Sequence, residues 1–127
     1  MRGRDVRDST ILIVDDEQAN LDLLEACLAD EGYSRLHCVR DPRDVLGAYE
    51  RHRPDIVLLD LHMPYLDGFA VMEQLLERIP SGDFVPILVL TADITAEAKR
   101  RALSGGAKDF LSKPFDLGEV VQRIANL

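Results

Sequence analysis

Asp55-Ile56-Val57-Leu58-Leu59-Asp60, running into Leu61-His62-Met63-Pro64-Tyr65-Leu66-Asp67-Gly68, is the stretch that decides the fold. Its apolar core is continuous rather than alternating, as expected of a short strand buried on both faces of a parallel sheet. The strand stops at a carboxylate, and a turn-rich segment follows. Ile11-Leu12-Ile13-Val14 repeats the pattern and stops at Asp15-Asp16. Two buried strands that end in acid predict carboxylates gathered at one edge of a sheet. Such a cluster is costly unless a cation offsets it.

Strand-length apolar runs occupy 10–14, 36–39, 55–59, 86–90 and 109–112. Between them lie amphipathic stretches. Leu21, Leu24, Cys27 and Leu28 recur at helical spacing in 17–31, and Gly32 stops that helix. A second helix covers 43–52 and ends before Pro54. Asp67, Thr95 and Asp116 are expected N-caps for helices over 68–79, 96–104 and 117–126, with Gly105-Gly106 closing the fourth. Strand and helix alternate throughout, which predicts an α/β fold, a parallel sheet with helices on both faces. Residues 1–8 are charged and unpatterned, an expected flexible arm, and 9–127 form one domain.

The net charge of −8 argues against direct nucleic-acid binding, which needs a basic face. No apolar run approaches the ~20 residues that span a bilayer, and the start lacks the apolar core of a signal peptide. A cytoplasmic location is the expectation. Cys27 and Cys38 sit inside apolar patterns without metal-ligand spacing, so both are expected to be buried, reduced thiols. His37 and His52 read as ordinary surface residues.

Ligands of open parallel sheets bind outside the carboxyl ends of the strands. There the sequence supplies Asp15 and Asp16, then Asp60, then Thr91-Ala92, then Lys113-Pro114. The second strand gives nothing distinctive, only Arg40-Asp41-Pro42. Three acids suit a hard divalent cation, which takes one or two protein carboxylates and a phosphate oxygen. One carboxylate can then serve as nucleophile and form an acyl phosphate, with Thr91 and Lys113 holding the phosphoryl oxygens. The set contains no serine elbow. Asp15-Asp16-Glu17-Gln18 also stands where a dinucleotide fold needs glycine.

Four motifs then fall in order: Ile11-Leu12-Ile13-Val14-Asp15-Asp16-Glu17, Asp55 to Pro64 with Asp67-Gly68, Val89-Leu90-Thr91-Ala92, and Gly106-Ala107-Lys108-Asp109-Phe110-Leu111-Ser112-Lys113-Pro114-Phe115. With these the chain resembles the receiver domain of two-component response regulators, the chemotaxis-regulator-like family. The resemblance implies a flavodoxin-like sheet of order 2-1-3-4-5 with five helices. It implies that Asp60 is the phosphoacceptor, served by a sensor histidine kinase or phosphotransfer protein. Mg²⁺ (or Mn²⁺) would be bound by Asp16, Asp60 and the His62 backbone carbonyl, with Asp15 acting mainly through metal-bound water. Thr91 and Lys113 match the phosphoryl contacts, Phe110 an aromatic switch coupled to Thr91, and Lys113-Pro114 a cis peptide. The side chains of His62 and Asp93 match positions that set the rate of hydrolysis.

The implied activity is a phosphorelay switch rather than a turnover enzyme. The face built from 96–127 is its expected surface for homodimerisation, an output domain or a partner. The wording from Leu90 to Ala102 is similar to receivers fused to cyclic-di-GMP phosphodiesterases, so a receiver excised from a longer regulator and a stand-alone receiver both stay open. A Mg²⁺-dependent phosphatase using Asp60 is the enzyme alternative. Phosphatases of that type carry an aspartate two residues after the nucleophile, where His62 stands.

Overall fold

The computed structural model describes residues 6–80, 82–92, 95–114 and 116–127. Five short strands form a single parallel sheet: β1 (Thr10–Val14), β2 (Arg35–Val39), β3 (Ile56–Asp60), β4 (Ile87–Thr91) and β5 (Asp109–Ser112). Their order is β2-β1-β3-β4-β5, as the resemblance implied. Strand order reverses at β1, so the crevice between the ends of β1 and β3 is the switch point where ligands bind such sheets. Ile13 pairs with Leu58 and Val14 with Leu59, which brings Asp15 and Asp60 to that crevice together.

Alternation along the strands divides the core into two layers. Ile11, Ile13, Ile56, Leu58, Leu88 and Leu90 face α1 (Gln18–Asp30) and α5 (Leu117–Ala125). Leu12, Val14, Val57, Leu59, Ile87 and Val89 face α2 (Val45–His52), α3 (Gly68–Arg78) and α4 (Ala96–Ser104). Both faces are therefore covered, which is why the runs at 11–14, 56–59 and 87–90 carry no polar alternation. No helix among the described residues is long and apolar enough to cross a membrane.

Helix starts follow local chemistry. Asp67 Oδ1 accepts from Ala70 N at 2.9 Å, Thr95 Oγ1 from Ala98 N at 3.2 Å, and Asp116 Oδ1 from Gly118 N at 2.8 Å. Each bond satisfies an otherwise orphaned first-turn amide. Near 43, however, Pro42–Asp44 form a 3₁₀ turn capped by Asp41, and the helix proper begins at Val45. Proline at the start and the Asp41 cap favour that tighter turn.

Three other readings change. Of the expected arm, residues 1–5 lie outside the described residues. Val6–Asp8 form a 3₁₀ turn, and Arg7 Nε donates to Glu31 O at 2.8 Å. The cysteines are free, but Cys27 is only half-buried and Cys38 is exposed, because β2 is an edge strand that α1 covers incompletely. His37 and His52 are not isolated surface residues. Their rings stack at 3.6 Å between β2 and the end of α2, and burial, then the nearness of His52, lowers the His37 pKa.

Candidate functional site

At the carboxyl ends of β1 and β3, Asp15, Asp16 and Asp60 each offer a carboxylate oxygen, all within 4.8 Å of one another. Asp15 and Asp60 are only 1% and 4% exposed, whereas Asp16 is half-buried. Acids so close and so dry repel one another, so the fold must supply compensation.

Lys113 supplies part of it. The residue follows β5, and its Nζ lies 2.7 Å from Asp15 Oδ2 and 3.5 Å from Asp60 Oδ2. Burial alone would lower the Lys113 ammonium pKa. The hydrogen bond to Asp15 and the charges of Asp60 and Asp15 outweigh that effect and raise it. The lysine thus stays charged. Its backbone is tied to β4 by Lys113 N donating to Thr91 O at 2.7 Å; the Lys113–Pro114 peptide is cis, as the resemblance implied.

Asp15 is the most heavily bonded of the three acids. Besides Lys113, its oxygens accept from Glu17 N at 2.9 Å and Asn20 Nδ2 at 3.2 Å. Asp60 is held more loosely, accepting from His62 N at 3.3 Å. Burial first, with the Asp15 charge adding to it, pushes its carboxyl up to about 6 against the opposing pull of Lys113 and the His62 amide. A carboxylate that is buried, weakly hydrogen-bonded and next to a fixed ammonium retains basic, nucleophilic oxygens at neutral pH. The chemistry of this donor set suits a hard divalent cation, which would relieve the repulsion that Lys113 only partly offsets.

The loop after β3 is built to hold this edge. Gly68 N donates to Leu61 O at 2.8 Å, and a Cβ at Gly68 would collide with Asp60 O. Only glycine permits that approach of helix to strand end. Thr91, at the end of β4, is fully buried. Phe110 in β5 is half-buried beside Val89, packed against the layer facing α4. The His62 side chain is exposed at the rim, and Asp93 lies outside the described residues.

The structure therefore brings Asp15, Asp16, Asp60 and Lys113 into one cluster, with Thr91 fixed to Lys113 through the backbone and Phe110 removed from the acids along β5. Sequence reasoning missed two supports. Asn20 holds Asp15 from the first turn of α1, and its signal was a short amide five residues after the acid. Arg40, passed over at the end of β2, places Nε and Nη2 each 3.3 Å from Asp16 O. No local pattern marks an arginine whose partner lies on a neighbouring strand's loop.

Comparison with known proteins identifies the family. Residues 11–125 match the family model of the response regulator receiver domain. Response regulator MprA of Mycolicibacterium vanbaalenii is 42% identical over 117 residues, covering 92% of this chain and 49% of that protein. The transcriptional regulatory protein PcoR of Escherichia coli is 40% identical over 117 residues, covering 92% and 50%. Chemotaxis protein CheY4 of Vibrio cholerae superposes with a TM-score of 0.83 at 28% identity, covering 92% of this chain and 98% of that one. The chain belongs to the response regulator receiver domain family of two-component signalling. It spans about half the length of the curated relatives it matches.

Proposed function

We propose that the chain is a phosphorylation-controlled switch in which Asp60 accepts a phosphoryl group from a sensor histidine kinase or phosphotransfer protein. The observation that carries this reading is the buried Asp60 carboxylate, grouped with Asp15 and Asp16 within 4.8 Å and facing Lys113 Nζ at 3.5 Å. A carboxylate oxygen of Asp60 bonds to phosphorus as the donor's phosphorus–nitrogen bond breaks. The electron pair returns to the donor's imidazole, which leaves neutral when its other nitrogen carries a proton.

Bound Mg²⁺ (or Mn²⁺) would offset the charge of the phosphoryl oxygens. Asp16, Asp60 and the His62 backbone carbonyl would hold it directly. Asp15 would act mainly through water on the cation, a role that fits oxygens already engaged by Lys113, Asn20 and Glu17 N. Lys113 and the Thr91 hydroxyl take the phosphoryl oxygens. The His62 and Asp93 side chains set the rate at which water removes the group, and this self-promoted cycle is not turnover of a substrate.

Phosphorylation adds roughly two negative charges to this edge. Thr91 and Lys113 rearrange around them, Phe110 turns inward, and the 96–127 face changes its affinity for a second copy, an output domain or a protein partner. A cytoplasmic location and no direct contact with nucleic acid go with this reading. The domain runs from 9 to 127. The similarity of 90–102 to receivers of cyclic-di-GMP phosphodiesterases makes such a regulator one candidate output.

The test is acetyl phosphate with Mg²⁺, read by intact mass. Wild type should gain one phosphoryl group and Asp60→Ala none; equal incorporation in both sinks the reading. Beryllofluoride should shift either the oligomeric state or the NMR signals of the 96–127 face, and no change in either counts against the switch.

A further inference from the structure

Tyr65 adopts φ +73°, a left-handed backbone that disfavours a bulky side chain. Leu66 N donates to Pro64 O at 2.9 Å, so Tyr65 is the apex of a γ-turn of the rare positive-φ kind. Glycine would take this position without strain. Burial does not hold the tyrosine there, because it is 75% exposed. A strained residue persists only where its surroundings over-determine it.

The surroundings are Arg43, whose guanidinium carbon sits 3.9 Å from the centre of the Tyr65 ring. Arg43 is itself fixed. Its Nε and Nη2 reach the Asp41 carboxylate at 3.0 and 2.7 Å, and its backbone N donates to Asp41 Oδ1 at 2.9 Å. From the same connection, Arg40 grips Asp16 O. The segment between β2 and α2 thus touches both acid-bearing loops.

We propose that Arg43 and Tyr65 form a latch that positions the β3–α3 loop for cation binding, both acting as positioning residues. The inference rests on the metal reading above. The loop is pinned at its base by Gly68 N to Leu61 O and within by Met63 and Leu66 against the core. The latch is the third point, on the outside. Between the base and the apex lies His62, whose amide faces Asp60 Oδ1 and whose carbonyl is the proposed ligand. Losing the latch frees that carbonyl to wander, and the cation then binds a loop it must first order.

The test is Mg²⁺ titration calorimetry on metal-free protein, for wild type, Arg43→Met, Tyr65→Gly, Tyr65→Phe and the Arg43→Met/Tyr65→Gly pair. Both sites are exposed, so the variants should fold. Arg43→Met should weaken Mg²⁺ about two- to fivefold, the factor an exposed cation–π contact is worth. Tyr65→Phe should match wild type, and Arg43→Met should add nothing once Tyr65 is glycine. Arg43 side-chain protons should be shifted upfield by the ring in wild type and Tyr65→Phe, but not in Tyr65→Gly. Wild-type affinity in Arg43→Met, additive losses in the pair, or an unshifted Arg43 in wild type overturns the latch. Wild type that binds no Mg²⁺ sinks the metal reading and the latch together, whereas binding that ignores both variants sinks the latch alone.

Discussion

Asp55 and Asp60 stand at opposite ends of β3 and show how partners, rather than residue type, set what a carboxylate does. Asp55 closes a structural clasp: its Oδ2 accepts from Thr10 N at 2.8 Å, and its own N donates to Thr10 O at 2.8 Å. It is half-buried and ties β3 to β1. Asp60, five residues on, is buried among two other acids with one long amide bond and an ammonium 3.5 Å away. Asp55 has what a carboxylate needs within the fold. Asp60 lacks such a clasp, which leaves its oxygens basic and suits the phosphoacceptor role proposed for it.

Lys113 separates the two acids most strongly. Lys113→Met leaves the buried Asp15 without its 2.7 Å cation and the acids without compensation. Breaking such a pair is expected to cost about 3 kcal/mol of stability in metal-free buffer, and Mg²⁺ should recover part of it. Phosphate incorporation from acetyl phosphate should fall about a hundredfold, as for removal of a fixed electrostatic stabiliser. Urea unfolding with and without Mg²⁺, beside a mass-read time course, checks both. An unchanged midpoint would place Lys113 on the Asp55 side of the comparison, as a bystander to the acids.

Asp60 also ties stability to pH. Burial, chiefly, pushes the folded Asp60 carboxyl up to about 6 from its ordinary 3.8. The fold therefore prefers the protonated form. That contribution is fully present below pH 3.8 and is lost as pH rises through 6. Asp60→Asn, neutral at every pH, should be more stable than wild type at pH 7.5 by about 2 kcal/mol without metal, and the gap should close toward pH 3.8. Urea melts at the two pH values decide it; a gap independent of pH contradicts the burial argument.

Asp55→Ala is the smallest effect. It should cost about 1 kcal/mol of stability, the worth of one backbone-directed hydrogen bond. Phosphate incorporation should be untouched. Lost phosphorylation in a folded Asp55→Ala protein would dissolve the contrast between the two ends of β3.

What could be read before the structure follows the same division between local and distant causes. Continuous apolar runs, the caps Asp67, Thr95 and Asp116, and the acids at strand ends are written within a few residues of where they act. The strand order and the gathering of Asp15, Asp16 and Asp60 followed from those together with the family resemblance. Contacts that join distant segments left no local mark. Arg40 on Asp16, Arg43 on Tyr65 and the His37–His52 stack each depend on where β2 and its connection lie. The edge position of β2 is also why Cys38 is exposed despite its apolar neighbours. The positive φ of Tyr65 runs against its residue type, so propensity pointed away from it.

The proposed switch depends on one particular carboxylate, Asp60, forming the acyl phosphate. Borohydride reduces an acyl phosphate to the alcohol, which turns the phosphorylated aspartate into homoserine and marks it for peptide mass spectrometry. After treatment with acetyl phosphate and Mg²⁺, homoserine should appear at position 60 and nowhere else. Homoserine at position 15, 16 or 55, or at no position in a protein that has gained phosphate, would mean that Asp60 is not the phosphoacceptor.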